Sequence, residues 1–322
     1  MKKINIRRLL SGTFAISLFC FCAGYIFSTY EWMELLAVLA TMQITLFFIG
    51  TAITILVFWL LRALRWKLLL QSLGITISFR HIYISSALSM SIALLTPLMS
   101  GEILKIELLK REGIIDRVPG YTTFALEKAL DSIILLLLGL VFLFVLFPAE
   151  LPIKIIPLVL IAIIILCVLL VLLGKVLIAY LPSSKHLALF LEQIQTLLHH
   201  SFYFFSALSL TILSWAILAL GWMICLLSIS VDVSYPQASG LLGMITIVNI
   251  FSLIPAGIGI SEASSAELLI QLGVEPPKAQ AGAVMFRFYE AYILLIGGVH
   301  LAIWAFMQRK KIPFITRRLS DH

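Results

Sequence analysis

The stretch SLIPAGIGISEASSAELLIQLG, residues 252–273, stops an apolar run at Pro255, turns through Gly257 and Gly259, and restarts as a short helix-like segment ending at Gly273. Proline lacks the N–H that would continue a helix, glycine takes the tight turn that follows, and a second glycine closes the new helix at its C′ position. A second stretch, LLTPLMSGEILKIELLKREG at residues 94–113, repeats the plan with Pro97, Gly101 and Gly113. Each break follows an apolar run, 81–97 or 239–255, and precedes a short helical segment, 102–112 or 262–272. A helix broken at this depth of an apolar chain is tolerated where its freed backbone groups line a protein-enclosed cavity in a membrane.

The rest of the chain agrees. Of 322 residues, 61% are AVILMFWYC and 12% are charged, and the mean hydropathy is +1.11. Soluble domains carry about 25% charge, so a soluble globular fold is excluded. Continuous apolar runs, rather than alternation, predict an all-α polytopic integral membrane protein. Uninterrupted spans fit at 9–29, 35–61, 119–147, 153–174, 201–229 and 279–307. The expected fold is six spanning helices plus two re-entrant broken hairpins in a single transmembrane domain, residues 1–322. The basic start MKKINIRRLL leads into an apolar stretch too long for a signal peptide and is read as a retained first span.

The two breaks align at a constant offset of 160: Glu102 on Glu262, Glu107 on Glu267, Leu108 and Leu109 on Leu268 and Leu269, Gly113 on Gly273. The same offset carries Glu127 onto Arg287. Repeats of this kind mark transporter folds. With both breaks as hairpins, 19 of the 23 lysines and arginines fall on the cytoplasmic side, including those of 62–80 and 102–118. The positive-inside rule then puts both termini in the cytoplasm, with one hairpin entering from each side. The repeats, about 1–150 and 151–322, are therefore inverted.

Charged residues at membrane depth are the candidate substrate-binding set: Glu102 and Glu262 at the hairpin tips, Glu127, Lys128 and Asp131 in one long span, Arg287 and Glu290 in its counterpart. The tip acids are read either as N-terminal caps or as groups that bind substrate or protons. Glu127 and Arg287 are read either as a salt bridge between the repeats or as a site where the arginine holds a lipid phosphate. Pro97, Gly101, Pro255, Gly257 and Gly259 form the turns. LRALRWKLLLQSLG, residues 61–74, reads as an interfacial helix or as a span end with basic and aromatic anchors. The GIG of 257–259 lacks the third glycine and preceding strand of a dinucleotide loop. The cysteines, Cys20, Cys22, Cys167 and Cys225, have no metal-ligand spacing. No metal, cofactor or nucleic acid is expected, and no catalytic constellation is present.

RALRWKLLLQSLG, TPLMSGEILKIELL, the EKALD segment and IPAGIGISEASSAELLIQLGV followed by Arg287 together resemble the lysylphosphatidylglycerol synthase transmembrane family, also called flippase-like, over about residues 10–307. The resemblance implies a bacterial inner-membrane protein that moves a lipid between leaflets. Arg287 and Lys128 would hold an anionic headgroup, while Glu102, Glu262 and Glu127 pair charges or carry a coupling proton. The chain ends at His322 without the soluble aminoacyl-transferase domain of well-known members, and its first break lacks the basic residue common there. The implied partner is a membrane phospholipid or lipid-linked substrate. The alternatives are an intramembrane transferase with Glu102 or Glu262 as general base, and a non-transporting scaffold for enzymes of envelope biosynthesis.

Overall fold

A computed structural model of the chain describes residues 17, 20–146, 184–252 and 254–309, and every regular element among them is helical. In chain order these are α1 Cys20–Thr29, α2 Trp32–Ala40, α3 Leu46–Ser72, α4 Phe79–Ala93, α5 Leu104–Arg111 and α6 Arg117–Leu146. They continue with α7 Ser184–His199, α8 Ser201–Leu227, α9 Tyr235–Ser252, α10 Ile260–Gln271 and α11 Pro276–Arg309. Among the described residues, α3, α6, α8 and residues Pro276–Met307 of α11 are long and apolar enough to cross a bilayer. Large apolar side chains face outward on these and neighbouring helices, Phe27 at 75% and Phe202 at 74% exposure among them. A surface of this kind is stable against lipid.

Three expected spans, 119–147, 201–229 and 279–307, match α6, α8 and α11. The expected span 35–61 is corrected. It is two helices, α2 and α3, parted at Thr41–Gln43, where the Gln43 N–H donates to the Ser228 carbonyl at 2.7 Å. The second of them starts with a π turn at Leu46–Gly50 and runs on to Ser72, because the arginines expected to end it face the core. Of span 9–29 the described part is helical from Cys20, and span 153–174 lies outside the described residues.

Small residues let the helices approach, as membrane packing requires. A Cβ on Gly240 would come within 2.8 Å of the Phe142 backbone nitrogen, and one on Gly243 within 2.8 Å of the Gly139 nitrogen, so α9 lies directly on α6. Gly221 does the same for α8 on α3, with Thr54 Oγ1 2.7 Å from the site of a Cβ.

Both breaks are real interruptions of the helix. A 3-10 turn covers Pro97–Ile103 and another Pro255–Gly257. Gly101 donates its N–H to Thr96 Oγ1 at 2.8 Å, and a Cβ there would sit 2.8 Å from the Ala93 nitrogen. In the second break Gly257 and Gly259 have φ of +58° and +89°, and Ala256 is held at +56°. The segment after each break packs back on the one before it, with Ile106 and Leu109 of α5 sharing a buried cluster with Ile77 and Ile82. Both arms end alike. Gly113 and Gly273 take φ of +69° and +87°, and the Ile114 and Val274 N–H groups bond back to Leu109 and Leu269 at 2.9 and 3.0 Å.

Candidate functional site

The charged residues gather into two networks, one per break. In the first, α3 supplies Arg62 and Arg65, the first break and α5 supply Glu102 and Lys105, and α6 supplies Glu127, Lys128 and Asp131. Spacing on α6 makes this possible, since residues four apart lie on one helix face, and Glu127 and Asp131 both look at α3. Arg65 is fully buried; it donates to Glu127 at 3.2 Å, to Asp131 at 2.7 Å and to Thr211 of α8 at 2.9 Å. Arg62 bonds Asp131 and lies 3.5 Å from Glu102. Lys105 bonds Glu127 and stacks over the Trp66 ring at 4.5 Å. Lys128 donates to Glu102 at 2.5 Å and lies 3.8 Å from Asp131. Trp215 closes the network with its indole N–H on Asp131 at 3.2 Å.

Among the described residues, Arg287 of α11 is the single cation of the second network. Its Nε and Nη2 grip Glu262 at 2.7 Å each, and Nη1 reaches Glu290 at 2.5 Å. The remaining donors go to the break itself, Nη1 to the Ala256 carbonyl at 2.6 Å and Nη2 to that of Gly257 at 2.9 Å. A guanidinium has five N–H groups, and all five are spent inside the protein. Glu262 also accepts from the Gly259 N–H at 2.8 Å, which is the capping role expected of a tip acid. Tyr30 ties the loop after α1 to the same place, donating to the Glu262 carbonyl at 3.1 Å.

The networks repeat one another: Glu102, Lys128 and Asp131 are joined as Glu262, Arg287 and Glu290 are. This corrects the register taken from sequence. The offset of 160 holds across the breaks, but along the following helices it is 159, because α6 starts four residues after Gly113 and α11 starts three after Gly273. Lys128, not Glu127, is therefore the counterpart of Arg287. The expected Glu127–Arg287 bridge is not formed, since Glu127 is taken by Arg65 and Lys105.

The reading of residues 61–74 is corrected as well. Arg62 is 5% exposed and Arg65 and Trp66 are wholly buried, so this stretch is neither an interfacial helix nor a pair of anchors at a span end. With Lys105, these arginines belong to the core and not to a cytoplasmic loop. Their i, i+3 spacing, matched by two carboxylates at i, i+4 in α6, was the available signal.

The breaks face each other across a cavity of about 40 Å³, lined by Thr96 and Met99 from one and Ala256 and Gly257 from the other, with Asn249 and Glu290 at its wall. Outside the long spans, the Glu107 carboxylate on α5 is held below the usual carboxylate range by a bidentate bond from Arg117 at 2.9 Å, with Tyr121 adding another. Among the described residues no cluster of three metal-ligating side chains occurs.

Apolar spans, paired broken helices and ion networks at their tips define a polytopic membrane protein built around two helix breaks. The sequence model of the lysylphosphatidylglycerol synthase TM region matches residues 9–298, and the chain belongs to that family. A comparison with curated proteins found no match.

Proposed function

We propose that this protein is a membrane carrier that moves a lipid with an anionic headgroup, or a lipid-linked substrate, between leaflets. The observation that carries the reading is the charge of the first network. Four cations, Arg62, Arg65, Lys105 and Lys128, face three carboxylates, Glu102, Glu127 and Asp131, leaving one positive charge in a low-dielectric surround. A charge at that depth needs a partner. Lys128 is the most open of the four, its side chain 24% exposed, and it gives one hydrogen bond where an ammonium has three to give. Arg62 likewise gives two of five. A phosphate-bearing headgroup fits these donors. The headgroup role moves from Arg287, whose donors are all engaged, to Lys128 and Arg62.

In this reading the breaks are re-entrant hairpins entering from opposite sides, the halves about 1–150 and 151–322 are inverted repeats, and both termini lie in the cytoplasm of a bacterial inner membrane. Family membership and the matched ion triads support it. The protein acts as a carrier rather than an enzyme, alongside envelope biosynthesis enzymes that make or use the lipid. Mass spectrometry of lipid retained on the purified protein tests the site. One anionic lipid should be enriched over the bulk membrane, and Lys128→Ala should lower its occupancy about tenfold, the effect of losing ~1.4 kcal/mol from a charge-assisted contact. Lipid matching the bulk membrane in both proteins would favour the scaffold reading.

A further inference from the structure

We propose that Glu290 is a proton-loading site, taking up and releasing a proton through the small cavity between the two breaks. Three observations point there. The second network holds one cation against two carboxylates, so with both ionised it carries an uncompensated negative charge. Of the two acids, Glu262 is fully served, by two Arg287 nitrogens and the Gly259 N–H, whereas Glu290 has only Arg287 Nη1, which also serves the Ala256 carbonyl. And Glu290, unlike Glu262, lines the cavity, whose volume of about 40 Å³ admits water.

An excess charge in a low-dielectric site is neutralised most cheaply by a proton. The proton is delivered as hydronium through water in the cavity: one O–H bond of the hydronium breaks, leaving water, and one O–H bond to the carboxylate forms. Among the described residues, the charged and titratable neighbours of Glu290 are few. Arg287 lies on its own helix and Glu262 on α10, with Cys22 of α1 and Tyr30, just beyond it, behind Glu262. The first break and α9 bring only uncharged groups, Thr96, Met99 and Asn249.

The proton has a mechanical consequence. Arg287 holds the second break shut by bonding the carbonyls of Ala256 and Gly257, two residues at positive φ. Nη1 has one N–H for Glu290 and one for the Ala256 carbonyl; a neutral Glu290 attracts the guanidinium less, which leaves it free to settle toward Glu262 and the break carbonyls. Protonation is thus a switch on the turn that separates α9 from α10. As a proton site this stands on its own; as a driver of lipid movement it rests on the carrier reading.

The test is infrared titration of the full-length protein in nanodiscs, which requires no transport. Wild type should show the carbonyl band of a buried glutamic acid that grows as pH falls and shifts on 13C-glutamate labelling. The band should vanish in Glu290→Gln and persist in Glu107→Gln. In Glu262→Gln, where Arg287 is left with a single carboxylate, it should be weaker at neutral pH. Absence of a buried-acid band in wild type, its survival in Glu290→Gln, or a signal that follows sodium concentration at fixed pH would overturn the proposal. Wild type alone decides the first and third outcomes, whatever the variants do to folding. If the band behaves as expected but a pH gradient leaves lipid movement unchanged, the proton site holds and its coupling to the carrier does not.

Discussion

At the scale of single residues, the strictest demand falls on Gly257. Its φ is +58°, and a Cβ would lie 2.0 Å from Asn249 Oδ1, so Gly257→Ala adds a clash to a strained backbone. At Gly113, φ is +69° but nothing lies within 4 Å of a Cβ; there alanine should cost only ~1 kcal/mol, the penalty of a left-handed non-glycine residue. A melting comparison in detergent should rank Gly257→Ala well below Gly113→Ala, and equal losses would contradict the close approach. Arg65→Lys gives a second contrast. Lysine cannot reproduce a fork that bonds Glu127, Asp131 and Thr211 together. Breaking a buried pair costs about 3–5 kcal/mol, so this variant should unfold at markedly lower denaturant, while exposed Arg111→Ala should stay within about 0.5 kcal/mol of wild type. Sequence depth singles out Glu102, Glu127, Lys128, Asp131, Glu262, Arg287 and Glu290. The one pairing it offers, Glu127 with Arg287, is not formed, because depth along a helix says nothing of which neighbour a side chain faces. Arg62 and Arg65 escaped notice because they flank an apolar run, where basic residues ordinarily sit as headgroup anchors.

At the scale of elements, the breaks are legible because proline and glycine act on the backbone locally, whatever surrounds them. The division of residues 35–61 is not, because Thr41–Gln43 interrupt the helix only through a bond to the turn after α8, a contact far away in sequence. The α9–α6 contact depends on Gly240 and Gly243, so Gly243→Leu should push α9 off Leu138 and Gly139. Limited proteolysis or disulfide trapping between the two helices should report the separation, and unchanged trapping would refute it. The short arm α5 has a pH dependence of its own. Glu107 is depressed by Arg117, so its pairing contributes above the ordinary glutamate range and is lost as pH falls through and below it. Both side chains are partly exposed, at 29% and 41%, which keeps the effect small. Protection factors at Leu109–Gly113, with exchange normalised to the intrinsic rate at each pH, should fall on acidification in wild type and should already be lowered, and flat with pH, in Glu107→Gln.

At the scale of the whole molecule, membrane residence follows from composition and from the apolar faces turned outward, and the family match over residues 9–298 agrees. The likeness of the two breaks is legible in sequence, yet the correspondence shifts by one residue in the helices that follow, because the connectors before α6 and α11 differ in length. The inverted arrangement we propose predicts that cysteines placed at Arg111 and Gln271, in a background free of native cysteines, are labelled from opposite sides of the membrane. The central claim is that the surplus cation of the first network carries an anionic headgroup. It is tested most directly by reconstituting the protein in liposomes and following fluorescent anionic and zwitterionic lipids from one leaflet to the other. The account predicts protein-dependent movement of the anionic lipid, faster than of the zwitterionic one, falling about tenfold in Lys128→Gln, the rate equivalent of ~1.4 kcal/mol. Equal movement of both lipids, or a Lys128→Gln protein as active as wild type, would contradict it.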